Sequence, residues 1–561
     1  MEKRDLLLSK IVIAGISLIT LGIWTQGVYE PVNLPKMLLL CGFSLAAVGV
    51  LGVSGVTQFI VEFKFLAILL LSFVGFGLAV LFLNSSVFSR SLYGTYGRNT
   101  GFLTYFCLAL FFLVCTQISN PTFSKNLVTV LLVTGTINCA YGLIQLSGND
   151  FMPWGSQKGT MMGTFGNANF ASAFLGIFST AIFTLVLYKF YSSMIRASLM
   201  IAFLVTIGLI TWSNSIQGLV VSFAGCSLSL LFWMLNKNVK PKYIYTYTLS
   251  LITLTFLATA GILGNGPLSN LLYSQNIAYR MEYWKAAFHT GANNLFMGVG
   301  WDSFGDYYRR FRSTEALVSP GVDVTTDAAH NVFLDVFASG GIILLLCYLG
   351  ITLIVLVSGA RKFRLGCSRD PIYVTIFVAW IGYQLQSLIS INQIGLAIWG
   401  WALSGMILGY PQRNSEEIPK PALSDQRIKK ANKTTSNDFE FYRITSGILF
   451  VAGVLISLPP IMADASWRHA QESKKYDDIV EAIMKWPREP NRMVTGAKIF
   501  TLNKYEAEGL KYTLEATRNF PDSFGPWEIL YTIPQSTDEQ RAEALKQLRR
   551  LDPLNPKLKG L

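Results

Sequence analysis

Of the three histidines in this 561-residue chain, His330 stands where a long polar segment gives way to an apolar helix. The local sequence is Thr325-Thr326-Asp327-Ala328-Ala329-His330-Asn331, and it closes a polar stretch that opens at Asn265. An imidazole there titrates near neutrality at a membrane–water boundary, where an ionisable group is expensive to keep. Its natural work is to take a proton from an attacking hydroxyl. The groups able to help it are arginines and helix-opening amides. Arg98 lies in Tyr96-Gly97-Arg98-Asn99-Thr100-Gly101, and Arg280 in Tyr279-Arg280-Met281-Glu282-Tyr283-Trp284. Phe165-Gly166-Asn167-Ala168-Asn169-Phe170 opens one helix, Gln217-Gly218 a second, and His330-Asn331 a third. A guanidinium offers phosphate a planar fork of donors and keeps its charge. Helix starts at Asn167 and Asn331 add free N–H groups and a positive dipole end. The set suits a diphosphate at headgroup level, with no metal needed.

Each residue also has a plainer reading. Arg98 could reach lipid phosphates, and Arg280 could pair with Glu282 or a nearby Asp. His330 could bond Asp327, and Asn167 and Asn169 could be ordinary helix caps. Arg309, Arg310 and Arg312 read as a solvated face, with donor contact left open.

The elements that must position these groups are transmembrane helices. Residues are 52% hydrophobic and mean hydropathy is +0.42, with many uncharged runs long enough to cross roughly 30 Å of hydrocarbon. The fold class is therefore all-α, a polytopic helical membrane protein. Helices are expected near 8–28, 34–55, 65–83, 101–118, 127–147, 168–188, 197–213, 218–235, 243–264, 332–357, 372–390, 393–410 and 444–463. The first reads as a retained helix and not a cleaved leader. With an internal N-terminus, most Lys and Arg fall inside. The outside loops up to residue 463 hold only Lys36, Arg90, Arg98, Lys158, Arg280, Lys285, Arg309, Arg310 and Arg312. The net charge of +13 thus reflects topology, and nothing calls for nucleic acid. None of the seven cysteines falls in a large outside segment, and no CxxC or CxxH spacing occurs, so neither a disulfide framework nor a metal site is expected.

Four parts follow: residues 1–410, a transmembrane domain with the large outer loop 265–331; a polar cytoplasmic linker, 411–443; a final crossing, 444–463; and an outside tail, 464–561. Within the tail, Pro487-Arg488-Glu489-Pro490, Phe520-Pro521-Asp522 and Leu551-Asp552-Pro553-Leu554-Asn555-Pro556 recur at even spacing between helical patterns. This resembles tetratricopeptide-type helix pairs, a surface for a protein partner or acceptor.

Taken in order, these pieces resemble the O-antigen ligase/polymerase superfamily of bacterial envelope glycosyltransferases. The matching pieces are Gly97-Arg98-Asn99-Thr100-Gly101; Gly163-Thr164-Phe165-Gly166-Asn167-Ala168-Asn169; Arg280-x3-Trp284 followed by Leu295-Phe296-Met297-Gly298-Val299-Gly300; and His330-Asn331-x2-Leu334 with Gly340-Gly341 downstream. The resemblance implies an inverting, metal- and cofactor-independent transfer of a glycan from a polyprenyl-diphosphate carrier. It implies His330 as base or acceptor activator and Arg280 on the donor diphosphate; Arg98 on the diphosphate, and Asn167, Asn169, Gln217 and Asn331 as possible further contacts, are added from their own places at the outer helix ends. Two departures stand out. The short turn Ser213-Asn214-Ser215-Ile216-Gln217-Gly218 lacks an arginine frequent in ligases, leaving Arg98 or Lys158 to supply the charge, and Leu344 stands where a further glycine is expected.

The expected function is transfer of an oligosaccharide from undecaprenyl diphosphate to a glycan, lipid or protein hydroxyl. It would take place on the outer face of a bacterial cytoplasmic membrane. A protein O-oligosaccharyltransferase fits the same residues. A transporter, such as an inorganic-carbon transport-like protein, is the rival reading. It would place charges near the bilayer midplane, where only Asp335 comes close. A non-catalytic scaffold centred on the tail predicts that His330 and Arg280 are dispensable.

Overall fold

The computed structural model describes residues 2–84, 87–152, 161–272, 275–411 and 436–559. Among these the regular structure is helical, with no strand. Helices occur at all thirteen expected places: α1 (Glu2–Leu21), α2 (Asn33–Glu62), α3 (Lys64–Leu83), then, after the short α4 (Phe88–Tyr93), α5 (Phe102–Thr116), α6 (Phe123–Leu146), α7 (Ala168–Leu187), α8 (Ser193–Trp212), α9 (Ile216–Asn236) and α10 (Pro241–Ile262). Three short helices follow, α11 (Ser269–Leu272), α12 (Gln275–Asn293) and α13 (Phe304–Phe311), before α14 (Val332–Arg364), α15 (Pro371–Ser387), α16 (Ile394–Gly409) and a long terminal helix, Ser436–Ser473. Nine of the described helices are long and apolar enough to cross a membrane, and α5 and α16 are shorter apolar helices. Most of the linker expected at 411–443 lies outside the described residues.

Small residues set the packing, because lipid offers no hydrophobic drive between helices and close backbone approach must supply the contact. At α2 against the terminal helix, a Cβ on Gly453 would fall 2.4 Å from the Cys41 carbonyl oxygen. The α7–α9 pair is equally close: a Cβ on Gly218 would meet the Ser172 carbonyl oxygen at 2.4 Å. Three hydroxyl pairs bond across it, Ser172 to Ser215 at 2.8 Å, Ser179 to Ser222 at 2.8 Å and Thr184 to Ser229 at 2.7 Å. On α9 these serines recur at heptad spacing, so one seam holds the two helices in fixed register. That register brings their N-terminal ends, and hence Asn169 and Gln217, side by side.

Lys36, expected in an outer loop, is instead wholly buried in α2. Its ammonium donates to the carbonyls of Ile19 and Thr20, both at 2.8 Å, and so satisfies the open end of α1.

The segment after α10 builds a small core of its own from Tyr283, Ala286, Ala287, Phe304, Tyr308, Ala329 and Ala338. It attaches to α14 through backbone. α14 breaks at Gly341, which adopts φ 70°, and Ile342 N–H donates to the Leu295 carbonyl at 2.7 Å. Val299 and Gly300 N–H donate to Ala338 and Ser339, at 2.9 and 3.0 Å. A side chain at Gly298 or Gly341 would strike this pairing within 2.4 Å. The two glycine motifs read from the sequence are therefore the two sides of one backbone junction, which anchors the polar segment beside His330.

The tail continues from the terminal helix as helices Tyr476–Met484, Pro490–Leu502, Glu506–Asn519, Phe524–Thr532, Asp538–Leu551 and Pro556–Lys559. It is locked onto the polar segment. Asp552 accepts from Arg312 at 2.8 Å and Arg309 at 3.0 Å, and the Arg312–Asp552 pair has no solvent exposure. Arg310 bonds Asp522 at 2.9 Å. This corrects the solvated-face reading of Arg309, Arg310 and Arg312: their three charges face carboxylates of the tail. Removing one partner of a buried pair leaves the other charge uncompensated, at about 3–5 kcal/mol. Asp552→Ala is therefore expected to lower Tm and to open the tail to limited proteolysis. An unchanged digestion pattern would show that other contacts hold it.

Candidate functional site

Hydrogen bonds gather the polar ends of several helices around His330. Asn33 Nδ2 donates to the Gly97 carbonyl at 2.7 Å, and Gln393 Nε2 donates to Asn33 Oδ1 at 3.0 Å. Asn331 Nδ2 donates to the Leu388 carbonyl at 2.9 Å, while its Oδ1 caps α14 by accepting from Phe333 and Leu334 N–H. Asn167 likewise caps α7, accepting from Asn169 N–H at 2.8 Å. A cavity of about 500 Å³ opens among these pieces, lined by Glu30, Arg98, Asn167, Asp327 and His330, with Tyr96 and Phe165 as aromatic walls. Lys158 lies outside the described residues.

His330 adopts φ 54°, a left-handed conformation that few non-glycine residues take and that clusters at functional sites. Its ring lies 5.8 Å from that of Tyr283, and its carbonyl accepts from Trp284 Nε1 at 3.4 Å. His330 makes no hydrogen bond to Asp327 among the described residues; both Asp327 oxygens accept from Arg98, at Nε and Nη2. Burial, with the nearby Arg98 and Arg280 charges, pushes the imidazole down to about 3, against a smaller opposite pull from Asp327. The ring is therefore neutral at physiological pH.

Arg98 does not reach lipid. Burial opposes its charge, the Asp327 carboxylate outweighs that, and the guanidinium is held above its ordinary value. Arg98 in turn holds the buried Asp327 carboxyl below the usual range. The turn that carries Arg98 is fastened by Asp302, whose Oδ2 accepts from Thr95 N–H at 2.7 Å and Thr100 Oγ1 at 3.1 Å. Sequence reasoning singled out neither Asp302 nor Asp327 as a site residue. Asp302 stands in Trp301-Asp302-Ser303 and Asp327 in Thr326-Asp327-Ala328, isolated carboxylates too common to notice.

Arg280 has the opposite environment. It is 9% exposed, and no carboxylate pairs with it among the described residues. The expected alternative partner Glu282 instead holds Lys285 at 2.7 Å. Burial pulls the Arg280 guanidinium below its ordinary value, slightly countered by Tyr283. With the Gln217 amide oxygen turned toward it, as neighbouring donors and acceptors require, Gln217 accepts from Arg280 Nη2 at 2.9 Å and Nη1 at 3.2 Å, and donates to the Asn169 carbonyl at 3.3 Å. Asn169 Oδ1 accepts from Ser215 Oγ at 2.8 Å, tying the chain to the α7–α9 seam. The turn without an arginine thus offers Gln217 to the arginine of the polar segment.

The geometry unites Arg280, Gln217 and Asn169 in one network, and His330, Arg98 and Asn167 around one cavity, with the Arg280 charge close enough to perturb His330. A neutral amide on a buried cation leaves its charge for an incoming anion. Gln217→Glu would supply a resident carboxylate. The expected result is a higher Tm together with loss of anion binding and turnover; normal turnover in this variant would remove Arg280 from the substrate path. Glu30, another residue not foreseen, lines the same cavity and caps α2 through Asn33 N–H at 2.6 Å; burial pushes its carboxyl up to about 7.

No curated protein matches the chain. Residues 167–349, from the Asn167 cap through the polar segment to the broken helix after His330, match the family model described as O-Antigen ligase.

Proposed function

We propose that this protein transfers a glycan from a polyprenyl-diphosphate carrier to a hydroxyl acceptor, on the extracytoplasmic face of a bacterial cytoplasmic membrane. The family match supports glycan transfer in a ligase- or polymerase-like role, with a lipid-linked donor and a glycan acceptor. The observation that carries the finer reading is Arg280: a buried cation with no carboxylate partner among the described residues, whose charge acts on a neutral imidazole. In this reading the donor diphosphate lies between Arg280 and Arg98 and is neutralised as it leaves. His330 takes the proton of the acceptor hydroxyl, that oxygen bonds the anomeric carbon, and the carbon–oxygen bond to the diphosphate breaks on the opposite face. Configuration inverts, and orientation supplies much of the rate. The excess of Lys and Arg in the opposite loops supports the orientation. The tail, read as tetratricopeptide-like, holds an acceptor or partner.

Complementation of an envelope-glycan defect tests this with wild type, His330→Ala and Arg280→Ala at equal membrane level. Accumulated lipid-linked donor and lost product are expected for both variants, and the product's size pattern separates ligase from polymerase. Wild-type behaviour of both would move the reading to transport or scaffolding.

A further inference from the structure

The tail encloses space as well as docking. Between it and the turn carrying Arg98 lies a cavity of about 360 Å³, with Thr95, Asn99 and Asp327 on one wall and Glu489, Asn491 and Phe524 on the other. A neighbouring cavity of about 370 Å³ runs between Tyr29, Trp467, Gln471 and Thr495. Tyr96 lines both, and it also lines the His330 cavity; Asp327 joins the first of them to the His330 cavity. Tyr96 therefore borders all three spaces. That residue is pinned to the terminal helix, its hydroxyl donating to Asp464 Oδ1 at 2.5 Å.

The chemistry of the walls selects among ligands. Several of their charges are matched within the protein: Arg90 pairs with Asp306, Arg488 with Glu515, and Arg309 shares Asp552 with Arg312. Arg492 has no carboxylate partner among the described residues, and its Nη2 donates to the carbonyls of Lys485 and Pro487. Beside these charges the walls offer neutral polarity and aromatic surface. Asn99, 2% exposed, has an Oδ1 without a partner, and Arg492, 7% exposed, an Nε without one; both residues line the cleft. A buried polar atom left unpaired costs about 1–3 kcal/mol and marks a place where a ligand group belongs. Aromatic faces with scattered amides and hydroxyl partners fit a ligand with apolar C–H faces and many hydroxyls.

We propose that the cleft roofed by the C-terminal helices is a saccharide subsite, holding the hydroxyl-rich glycan whose reacting end reaches His330. This rests on the glycan-transfer reading and adds where the sugar chain lies. It gives the tail a direct binding role.

The full-length protein in native membranes would carry p-benzoylphenylalanine at Asn491, an exposed cleft residue, and be irradiated in cells. A carbohydrate-bearing adduct, sensitive to periodate and resistant to protease, is expected. Attached polyprenyl lipid identifies the donor glycan as its source, and absence of lipid the acceptor. No adduct, or an adduct that protease removes, overturns the proposal. In parallel, Asn491→Trp and Thr495→Trp fill the cleft from exposed positions, where substitution leaves stability nearly unchanged. A tenfold or greater rise in the KM for glycan is expected at unchanged Tm. If His330→Ala abolishes transfer while both Trp variants transfer normally and no glycan adduct forms, the cleft inference alone fails. If His330→Ala transfers normally, the catalytic reading itself fails.

Discussion

Arg280→Met is expected to lower transfer by about 10²–10³-fold while leaving thermal stability within about 1 kcal/mol of wild type. The two effects separate because of what surrounds the guanidinium. In most buried ion pairs, removing the cation strands an anion, and the protein loses stability. Here no carboxylate is stranded, since Glu282 is held by Lys285. What is lost in the folded state is the pair of hydrogen bonds that Arg280 donates to Gln217, each worth about 1.5–3 kcal/mol when charged. What is gained is relief from burying an uncompensated cation, a penalty of several kcal/mol. The methionine keeps most of the apolar stem, so packing changes little. For the donor of the proposed reaction the balance runs one way, because a diphosphate bound at Arg280 would lose its forked, desolvated partner. Arg280→Lys keeps the charge but not the fork and should recover only part of the rate. Turnover of donor in membranes, with a thermal melt of the purified variant, reads both quantities. A variant that melts far below wild type would mean that Arg280 holds the fold.

His330→Ala is expected to reduce transfer by about 10²–10⁴-fold, the range of a lost general base. The pH behaviour is the sharper test. With the site empty, burial and the two arginines hold the imidazole at about 3, and a base that weak accepts a hydroxyl proton poorly. A diphosphate between the arginines opposes both of their contributions, so donor binding raises the imidazole toward its ordinary value. The acid limb of kcat, which reports the loaded enzyme, should therefore lie at higher pH than that of kcat/KM. Coincident limbs would mean that the donor does not sit between those arginines. Stability has a definite sign as well. The folded value is depressed below the unfolded value of 6.5, so the unfolded chain binds more protons between them. The stability associated with His330 is full above about 6.5 and lost as pH falls toward about 3. His330→Gln should flatten that acid-side loss, and saturating donor should shrink it in the wild type.

Much of this protein was legible as sequence, because membrane insertion imposes a one-dimensional rule. Each apolar run must satisfy its own backbone, so runs such as 168–188 and 332–357 had to be helices near those limits. His330, Arg280 and Asn167 stood out for a related reason: polar groups at the edge of hydrocarbon are conspicuous and need a purpose. Asn167 and Asn331 could be placed at helix starts by local cap chemistry alone.

Partnership was not legible, because it depends on contacts between residues far apart in the chain. Arg98 and Arg280 look alike in sequence, yet one is neutralised by Asp327 and the other, with no carboxylate partner among the described residues, meets the amide of Gln217. That difference arises from the α7–α9 seam and from the junction of Gly298 with the break at Gly341, both of which are decided by backbone approach. The arginines at 309, 310 and 312 looked like a solvated face until Asp522 and Asp552 arrived from more than two hundred residues away. Sequence alone determined that this chain is a helical membrane protein with an imidazole and arginines at its polar edge, since hydropathy and capping act locally. Only the tertiary structure decided which arginine keeps an unspent charge and that the tail packs over the turn carrying Arg98, since charge compensation and enclosure are properties of residues brought together by folding.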